Sequence, residues 1–418
     1  MAAVHVVGAG LAGLAAAVRL AERGQRVALY EAAQQAGGRC RSFFDRTLGR
    51  VIDNGNHLLV SGNRSALAYL DAIGAADSLM GPEDPSFPFL DLATGERWTV
   101  RPSRGPLPFW VALPSRRVPG TRLGDYLAAW RLWRANERQT LADCLRTDDV
   151  LWRRFWSPLA TAVLNTPAAT GSARLLRAAL GESFARGAAA CRPLIARTSL
   201  AQSLIEPALK FLRHHGGTVA FGHRLRAVGM DRQRAHCLDF GQHHVELGPG
   251  ERAILALPPG QVTALLPDIA APQASHAIVN GHFRLPAPVR LPGGAVLLGL
   301  IGGTAEWLFV RDDLVSLTVS AADELAEERS AIIAARLWAD TATALGLPAR
   351  PQPPVRIVKE RRATFAQTPT QAAMRAPAAT RWSNLYLAGD WTATGLPATI
   401  EGAIRSGHVA AELALTIR

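Results

Sequence analysis

Val4-His5-Val6-Val7 is a short, mostly apolar run that predicts a buried strand. Gly8-Ala9-Gly10-Leu11-Ala12-Gly13 interrupts it, and the apolar residues Leu14 to Leu20 then predict a helix that ends before Gly24. Arg26 to Tyr30 predicts a second strand, ending at Glu31. In the second half of the chain the runs 277–285, 295–301, 306–311 and 314–320 predict four strands. The stretch 323–345 predicts one amphipathic helix with an acidic first turn, closed by Gly346 and Pro348. Near the C-terminus, 384–388 predicts a strand, and a helix is expected from Thr399-Ile400 to Gly407. Strands alternating with helices in this way predict an α/β fold.

The chain has 418 residues, enough for two interleaved domains, and its 48% hydrophobic and 19% charged content is that of an ordered globular protein. No run of eighteen uncharged apolar residues is present, and the apolar start lacks a basic leader, so neither a membrane span nor a signal peptide is expected. The formal charge is +12, nearly all of it arginine, since Lys210 and Lys359 are the only lysines. That excess fits either compositional bias or an anionic partner such as a membrane. Nucleic acid is not expected, because no recognition helix, zinc spacing or RNP-like strand occurs. Cys40, Cys144, Cys191 and Cys237 are widely spaced and read as buried thiols of a reducing compartment, and no metal-ligand spacing appears.

The order strand, glycine turn, helix, strand, acid is the context a dinucleotide fingerprint requires. Gly8 permits the tight turn, Gly10 lets backbone approach a pyrophosphate, and Gly13 lets the helix pack close. The helix start at Leu11, Ala12 and Gly13 offers free N–H groups and a positive dipole end to phosphate. Glu31 is placed to accept hydrogen bonds from ribose hydroxyls, which disfavours a 2′-phosphate there. Ala32 follows it, and a second glycine pair with an arginine, Gly37-Gly38-Arg39, suits a larger two-phosphate cofactor. At the far end, Gly389 and Asp390 follow a strand and Thr399-Ile400 open a helix, a dipole end suited to the pyrimidine edge of a flavin. FAD is therefore the expected cofactor.

The run E-A-x-x-x-x-G-G-R at 31–39 and the closing L-A-G-D-W-T…A-T-I-E-G-A-I-x-S-G at 387–407 resemble the amine oxidase and phytoene desaturase superfamily of flavoproteins. A middle piece agrees: 216–219 through 224–228, which the resemblance makes a strand pair with backbone near Leu225 touching adenine, followed by a strand and turn at 252–259. One departure is Ala33, where many amine oxidases place an arginine. The resemblance implies a Rossmann-type FAD-binding domain (glutathione-reductase-like, amine-oxidase type) with an interleaved α+β substrate domain. The expected FAD-binding segments are 1–70, 196–265 and 355–418. The substrate domain is expected to combine a helical part, 71–195, with a sheet-and-helix part, 266–354, and the pocket should lie between the domains.

Within that superfamily, the segments 51–59, 316–323, 359–365 and 389–399 are similar to the hydroxysqualene dehydroxylases. That similarity implies reductive removal of a hydroxyl from a long apolar isoprenoid, with hydride from reduced flavin and an external electron donor that no motif identifies. Asp53, Asn56 and His57 are the candidate catalytic residues, lying where the resemblance runs the chain close to the flavin. Two have a structural alternative, a loop-stabilising carboxylate for Asp53 and a hydrogen bond to backbone or cofactor for His57, while Asn56 is read as a hydrogen-bond partner of the flavin or the substrate hydroxyl. The rivals are a carotenoid-type desaturase or amine oxidase on the same fold, with Trp391 as half of an amine cage, and a non-catalytic prenyl-binding escort.

Six tryptophans, Trp98, Trp110, Trp130, Trp133, Trp152 and Trp156, crowd one stretch, and seven arginines but a single acid, Asp125, lie between residues 101 and 134. Such a mixture is what interfacial attachment needs, the alternative being a tryptophan-rich core of a helical cap with solvated arginines; the protein is expected in the cytoplasm, peripheral on the inner face of the membrane.

Overall fold

Residues 2–105 and 107–416 are described by the computed structural model. Met1, Ile417 and Arg418, assigned above to the nucleotide domain, and Pro106, assigned to the helical part, lie outside the described residues.

The first glycine turn belongs to a five-stranded parallel sheet in the order Thr218–Ala220, Arg26–Tyr30, Ala3–Val7, Arg252–Leu255, Leu385–Leu387. Three distant stretches of chain thus supply adjacent strands. Both faces are covered, which is why these strands read as nearly continuous apolar runs. On one face Val4, Val6, Leu29 and Ile254 pack with the helices Leu11–Glu22, Glu206–His214 and Ile400–Leu415. On the other, Val7, Tyr30 and Leu255 meet a three-stranded sheet through Leu238 and Phe240, with Tyr30 stacked on Phe240 at 4.7 Å.

A seven-stranded sheet forms the second layer, ordered Val355–Phe365, Ser275–Arg284, Leu314–Val319, Trp307–Arg311, Leu297–Ile301, Phe87–Asp91, Arg97–Val100. Its outer face, with Val279, Phe283, Leu308 and Leu317, buries Ile333 and Leu337 of the helix Ser330–Leu345. Residues directly opposite across strands share a face, so Asn280, Thr318 and Trp307 lie together on the inner face, as do His282, Ser316 and Phe309.

Four expectations are corrected here. The strand Val355–Phe365, assigned to the nucleotide domain, pairs along Ser275–Arg284 and belongs to the second sheet. Phe87–Asp91 and Arg97–Val100, placed in the helical part, join the same sheet, with Leu90 opposite Leu300. The anticipated strand pair of 216–219 and 224–228 is divided between sheets: Thr218–Ala220 pairs with Arg26–Tyr30, and Ala227–Met230 pairs with Ala235–Asp239. All three errors concern pairing over long sequence separations, which local periodicity does not encode. Finally, the single helix over 323–345 is two, Asp323–Glu327 and Ser330–Leu345, because Glu328 and Arg329 are extended. The Lys359 ammonium donates to the Glu328 carbonyl at this break. Gly346 ends the second helix in the left-handed region, φ +65°.

Candidate cofactor and active site

The glycine turn divides its work among three residues. Gly8 has φ +106°, and a Cβ on it would sit 2.4 Å from the Ala256 carbonyl oxygen. A Cβ on Gly13 would sit 1.8 Å from the Gly8 carbonyl oxygen, so those two glycines are demanded by the fold. Gly10 is different, because a Cβ there would meet nothing within 4 Å. The protein leaves that space free, just where the fingerprint brings a pyrophosphate. The helix from Leu11 has no side-chain cap, and its first intrahelical bond is Leu14 N–H to the Gly10 carbonyl at 2.9 Å. The N–H groups of Leu11, Ala12 and Gly13 precede that bond and are available to phosphate.

Glu31 is pinned across the turn: its carboxylate accepts from Ala9 N–H and from Ala33 N–H, both at 2.8 Å. Ala32 lies between these contacts. Glu31 also ties down the neighbouring loop through backbone bonds, its N–H to the Ala220 carbonyl and its carbonyl from His223 N–H. Leu225 follows two residues after His223 in that loop.

The two ends of the chain converge at Arg39. Its guanidinium donates to Asp390 Oδ1 at 2.8 Å and to the Ala363 carbonyl, and the carboxylate beside it holds Arg39 above its ordinary value. Gly38, φ +54°, lies against Gly10, with a Cβ position 3.4 Å from the Gly10 Cα. A Cβ on Gly407 would strike the Ala12 carbonyl oxygen at 2.2 Å, which shows how closely the closing helix crosses the first. Gly389 has φ +148° and donates its N–H to Ser406 Oγ at 2.8 Å. Thr399 caps the closing helix by accepting from Gly402 N–H at 3.1 Å, leaving the amides at Ile400 and Glu401 facing forward. Free space over Gly10, an uncapped helix start and a second helix start at Ile400 together fit a ligand with a pyrophosphate at one end and a flavin ring at the other.

Sequence reasoning missed Arg375. It is buried and donates to the carbonyls of Asp390, Trp391, Thr392 and Leu396, so the loop after Asp390 is wrapped around one guanidinium. Burial pulls its pKa down to about 10, against the opposing pull of Asp390. A lone arginine in the apolar run Ala372-Ala373-Met374-Arg375-Ala376-Pro377 was the available signal.

The three candidate catalytic residues line one cavity but have different partners. Asp53 accepts from Ser42 Oγ at 2.7 Å and Leu200 N–H at 2.9 Å, and pairs with both terminal nitrogens of Arg311 at 3.2 Å. That carboxylate holds loop, helix and sheet together. Asn56 Nδ2 donates to Thr318 Oγ1 at 3.0 Å, and Thr318 donates to Asn280 Oδ1 at 2.9 Å. His57 Nε2 lies 3.9 Å from Cys40 Sγ, and burial pushes the imidazole down to about 4, so it is neutral at pH 7. Asn56 and His57 border a cavity of about 30 Å3 between the nucleotide domain and the inner sheet face, closed by Phe309, Arg311 and Ser316. That is room for about one water.

Along this inner face, four buried polar atoms lack a protein partner: Asn280 Nδ2, His282 Nε2, Trp98 Nε1 and Trp307 Nε1. Phe89 stacks on Trp98 at 5.5 Å and meets Trp307 edge-on at 5.6 Å. The face is aromatic with a few unspent polar groups, the composition of a ligand wall. Trp391 is not available as half of an amine cage: it is buried, and its indole N–H is spent on the Leu257 carbonyl at 2.9 Å.

Comparison with known proteins agrees with this layout. The family model for flavin-containing amine oxidoreductases matches residues 11–415. The chain is 47% identical over 413 residues to a hydroxysqualene dehydroxylase of Rhodopseudomonas palustris, covering 99% of this chain and 98% of that one. It is 44% identical to the hydroxysqualene dehydroxylase of Zymomonas mobilis, with both chains covered completely. Among solved structures, cyclohexylamine oxidase from Brevibacterium oxydans superposes with a TM-score of 0.70 at 16% identity, each chain 99% covered, which is a likeness of fold.

Proposed function

This chain belongs to the flavin-containing amine oxidoreductase family and is an FAD-dependent oxidoreductase, and we propose that it removes the hydroxyl of hydroxysqualene to give squalene. The relatives of that name are matched along their whole length. The observation that carries the reading in the structure is the inner sheet face: an aromatic wall bearing a few unpartnered donors suits one hydroxyl on a long hydrocarbon.

When bound and reduced, FAD supplies a hydride to the carbon that loses oxygen. Gly10, the helix start at Leu11 to Gly13, Glu31 and Arg39 would hold the dinucleotide end, and the loop wrapped on Arg375 would present Ile400 to the ring. Hydroxide is a poor leaving group, so the oxygen departs as water, and the fully reduced cofactor would supply the one proton this needs together with the hydride. The Asn280 amide has an unspent N–H, and its oxygen accepts from the Thr318 hydroxyl and the Asn56 backbone N–H, so it is oriented to hydrogen-bond that oxygen without giving up a proton. His57, neutral at working pH, orients rather than carries charge. The apolar wall keeps water from the allylic carbon, where positive charge develops. An apolar isoprenoid is carried in lipid, so we place the enzyme at the cytoplasmic face of the membrane; no helix among the described residues is long and apolar enough to cross it.

The test is a product analysis. Chemically reduced holoenzyme, kept anaerobic, is expected to convert hydroxysqualene to squalene. Failure to do so, together with dehydrogenation of a polyene by the oxidised enzyme, would assign the desaturase reaction instead.

A further inference from the structure

Ten large hydrophobic side chains are exposed among the described residues, and seven of them come from the short stretch 107–133. Phe109 is 66% exposed, Leu127 68%, Trp130 52% and Trp133 45%. The stretch is folded beneath them. Trp110 is buried edge-on to Tyr126 at 5.6 Å, and the Tyr126 hydroxyl accepts from Val118 N–H at 3.0 Å. Leu123, Leu127, Trp130 and Arg134 recur at helical spacing along the outward side of the consecutive turns Leu123–Ala128 and Ala129–Trp133. The six tryptophans noted from the sequence therefore divide, with Trp130 and Trp133 outward and the other four buried.

The charge around this patch is predominantly positive, with Asp125 the one acid between residues 101 and 134. Six of the seven arginines from 101 to 134 are exposed, and none of the seven forms an ion pair among the described residues. Arg134 lies 4.5 Å over the Trp130 ring, so ring and cation present together. A second copy of this chain would bring like charge against like. Nucleic acid would use the cations but has no place for projecting leucines and phenylalanine. A bilayer with anionic headgroups uses both: guanidinium on phosphate, indole rings at headgroup depth, leucine and phenylalanine among the acyl chains. One continuous hydrophobic cluster runs from Trp110 beneath the patch to Trp307 on the inner sheet face.

We propose that residues 107–133 dock the protein on an anionic bilayer, so that the substrate passes from lipid through this side of the molecule. The passage rests on the reaction proposed above; the docking is measured without it. Holoenzyme is sedimented with vesicles of phosphatidylcholine alone or mixed with phosphatidylglycerol, at low and high salt. It is expected to pellet with the mixed vesicles at low salt. The triple variant Phe109→Ser, Leu127→Ser, Trp130→Ser is expected to bind about tenfold or more weakly while keeping its flavin absorbance, melting temperature and turnover of detergent-dispersed substrate. Equal recovery of holoenzyme in the supernatant with and without vesicles overturns the proposal, as does undiminished binding by the triple variant. A dimer in solution that the triple variant abolishes, without vesicle binding, also overturns it and gives the patch to a second copy. Binding without turnover would leave docking intact and sink the reaction; turnover without binding would do the reverse.

Discussion

Single residues separate what the fold needs from what the cofactor needs. Gly10 has no protein neighbour to meet an added methyl, whereas Gly13 has the Gly8 carbonyl in the way. Gly10→Ala is therefore expected to fold with the parent's apo-protein melting temperature and yet lose flavin affinity by about 100-fold or more, read by flavin titration, since only a pyrophosphate contests that space. Gly13→Ala is expected to lose both. Equal flavin affinity in Gly10→Ala and parent would remove the pyrophosphate from this turn. Arg375 makes a second test. Truncation to alanine leaves several buried carbonyls without a donor and is expected to cost about 3–5 kcal/mol along with most of the bound flavin. Lysine, which cannot reach all of those carbonyls at once, should restore only part. The turn glycines and Glu31 stood out in the sequence because each answers a local demand, whereas Arg39, read there as a phosphate partner, pairs with Asp390 from the far end of the chain. Arg375 did not stand out, because its partners are backbone carbonyls that any sequence would supply.

At the scale of elements, His282 on the strand Ser275–Arg284, Glu306 just before the strand Trp307–Arg311 and His57 in the loop before Leu59–Val60 pull stability in opposite directions with pH. Burial depresses His57 and His282 to about 4. Their contribution is present above the ordinary histidine value of 6.5 and is lost as pH falls through about 4. Glu306, whose carboxylate accepts from Ser320 N–H at 3.0 Å, is raised by burial to about 7. Its contribution is full below 4.5 and is lost as pH rises through about 7. Glu306→Gln is thus expected to melt higher than the parent at alkaline pH and level with it in mild acid, measured by thermal scans across the range. Parallel curves for the two proteins would contradict this. Four strands of the second sheet were anticipated to within two residues at their ends, since short runs rich in β-branched and other apolar residues mark them. Its outer strands were not: Phe87–Asp91, with the edge strand Arg97–Val100, and the other edge strand Val355–Phe365 are recruited from far along the chain, and only the assembled fold shows their partners. The break at Glu328 was likewise invisible, because it depends on Lys359 from another strand.

Across the whole molecule, the site exists because the chain returns to its beginning. Arg252–Leu255 and Leu385–Leu387 extend the sheet started by Ala3–Val7, and Arg39 meets Asp390 across 351 positions of sequence. The closing helix also locks the helical part in place. Buried Glu401 accepts from Ser65 and Ala66 N–H and pairs with Arg405, which in turn forks onto Glu182 at 2.7 Å. Arg405→Ala is expected to loosen that junction, lowering the melting temperature and raising the rate of flavin loss on dilution, with Arg405→Lys intermediate. An unchanged flavin off-rate would show that the junction plays no part in retaining the cofactor. The central claim, that this chain uses reduced flavin to replace a carbon-bound hydroxyl by hydride, is tested most directly by one anaerobic turnover. Holoenzyme reduced stoichiometrically is mixed with hydroxysqualene, and flavin absorbance and squalene are followed together. The account predicts one flavin reoxidised for each squalene formed, at the same rate. Flavin that stays reduced while hydroxysqualene persists, or squalene formed with no change in the flavin, would contradict it.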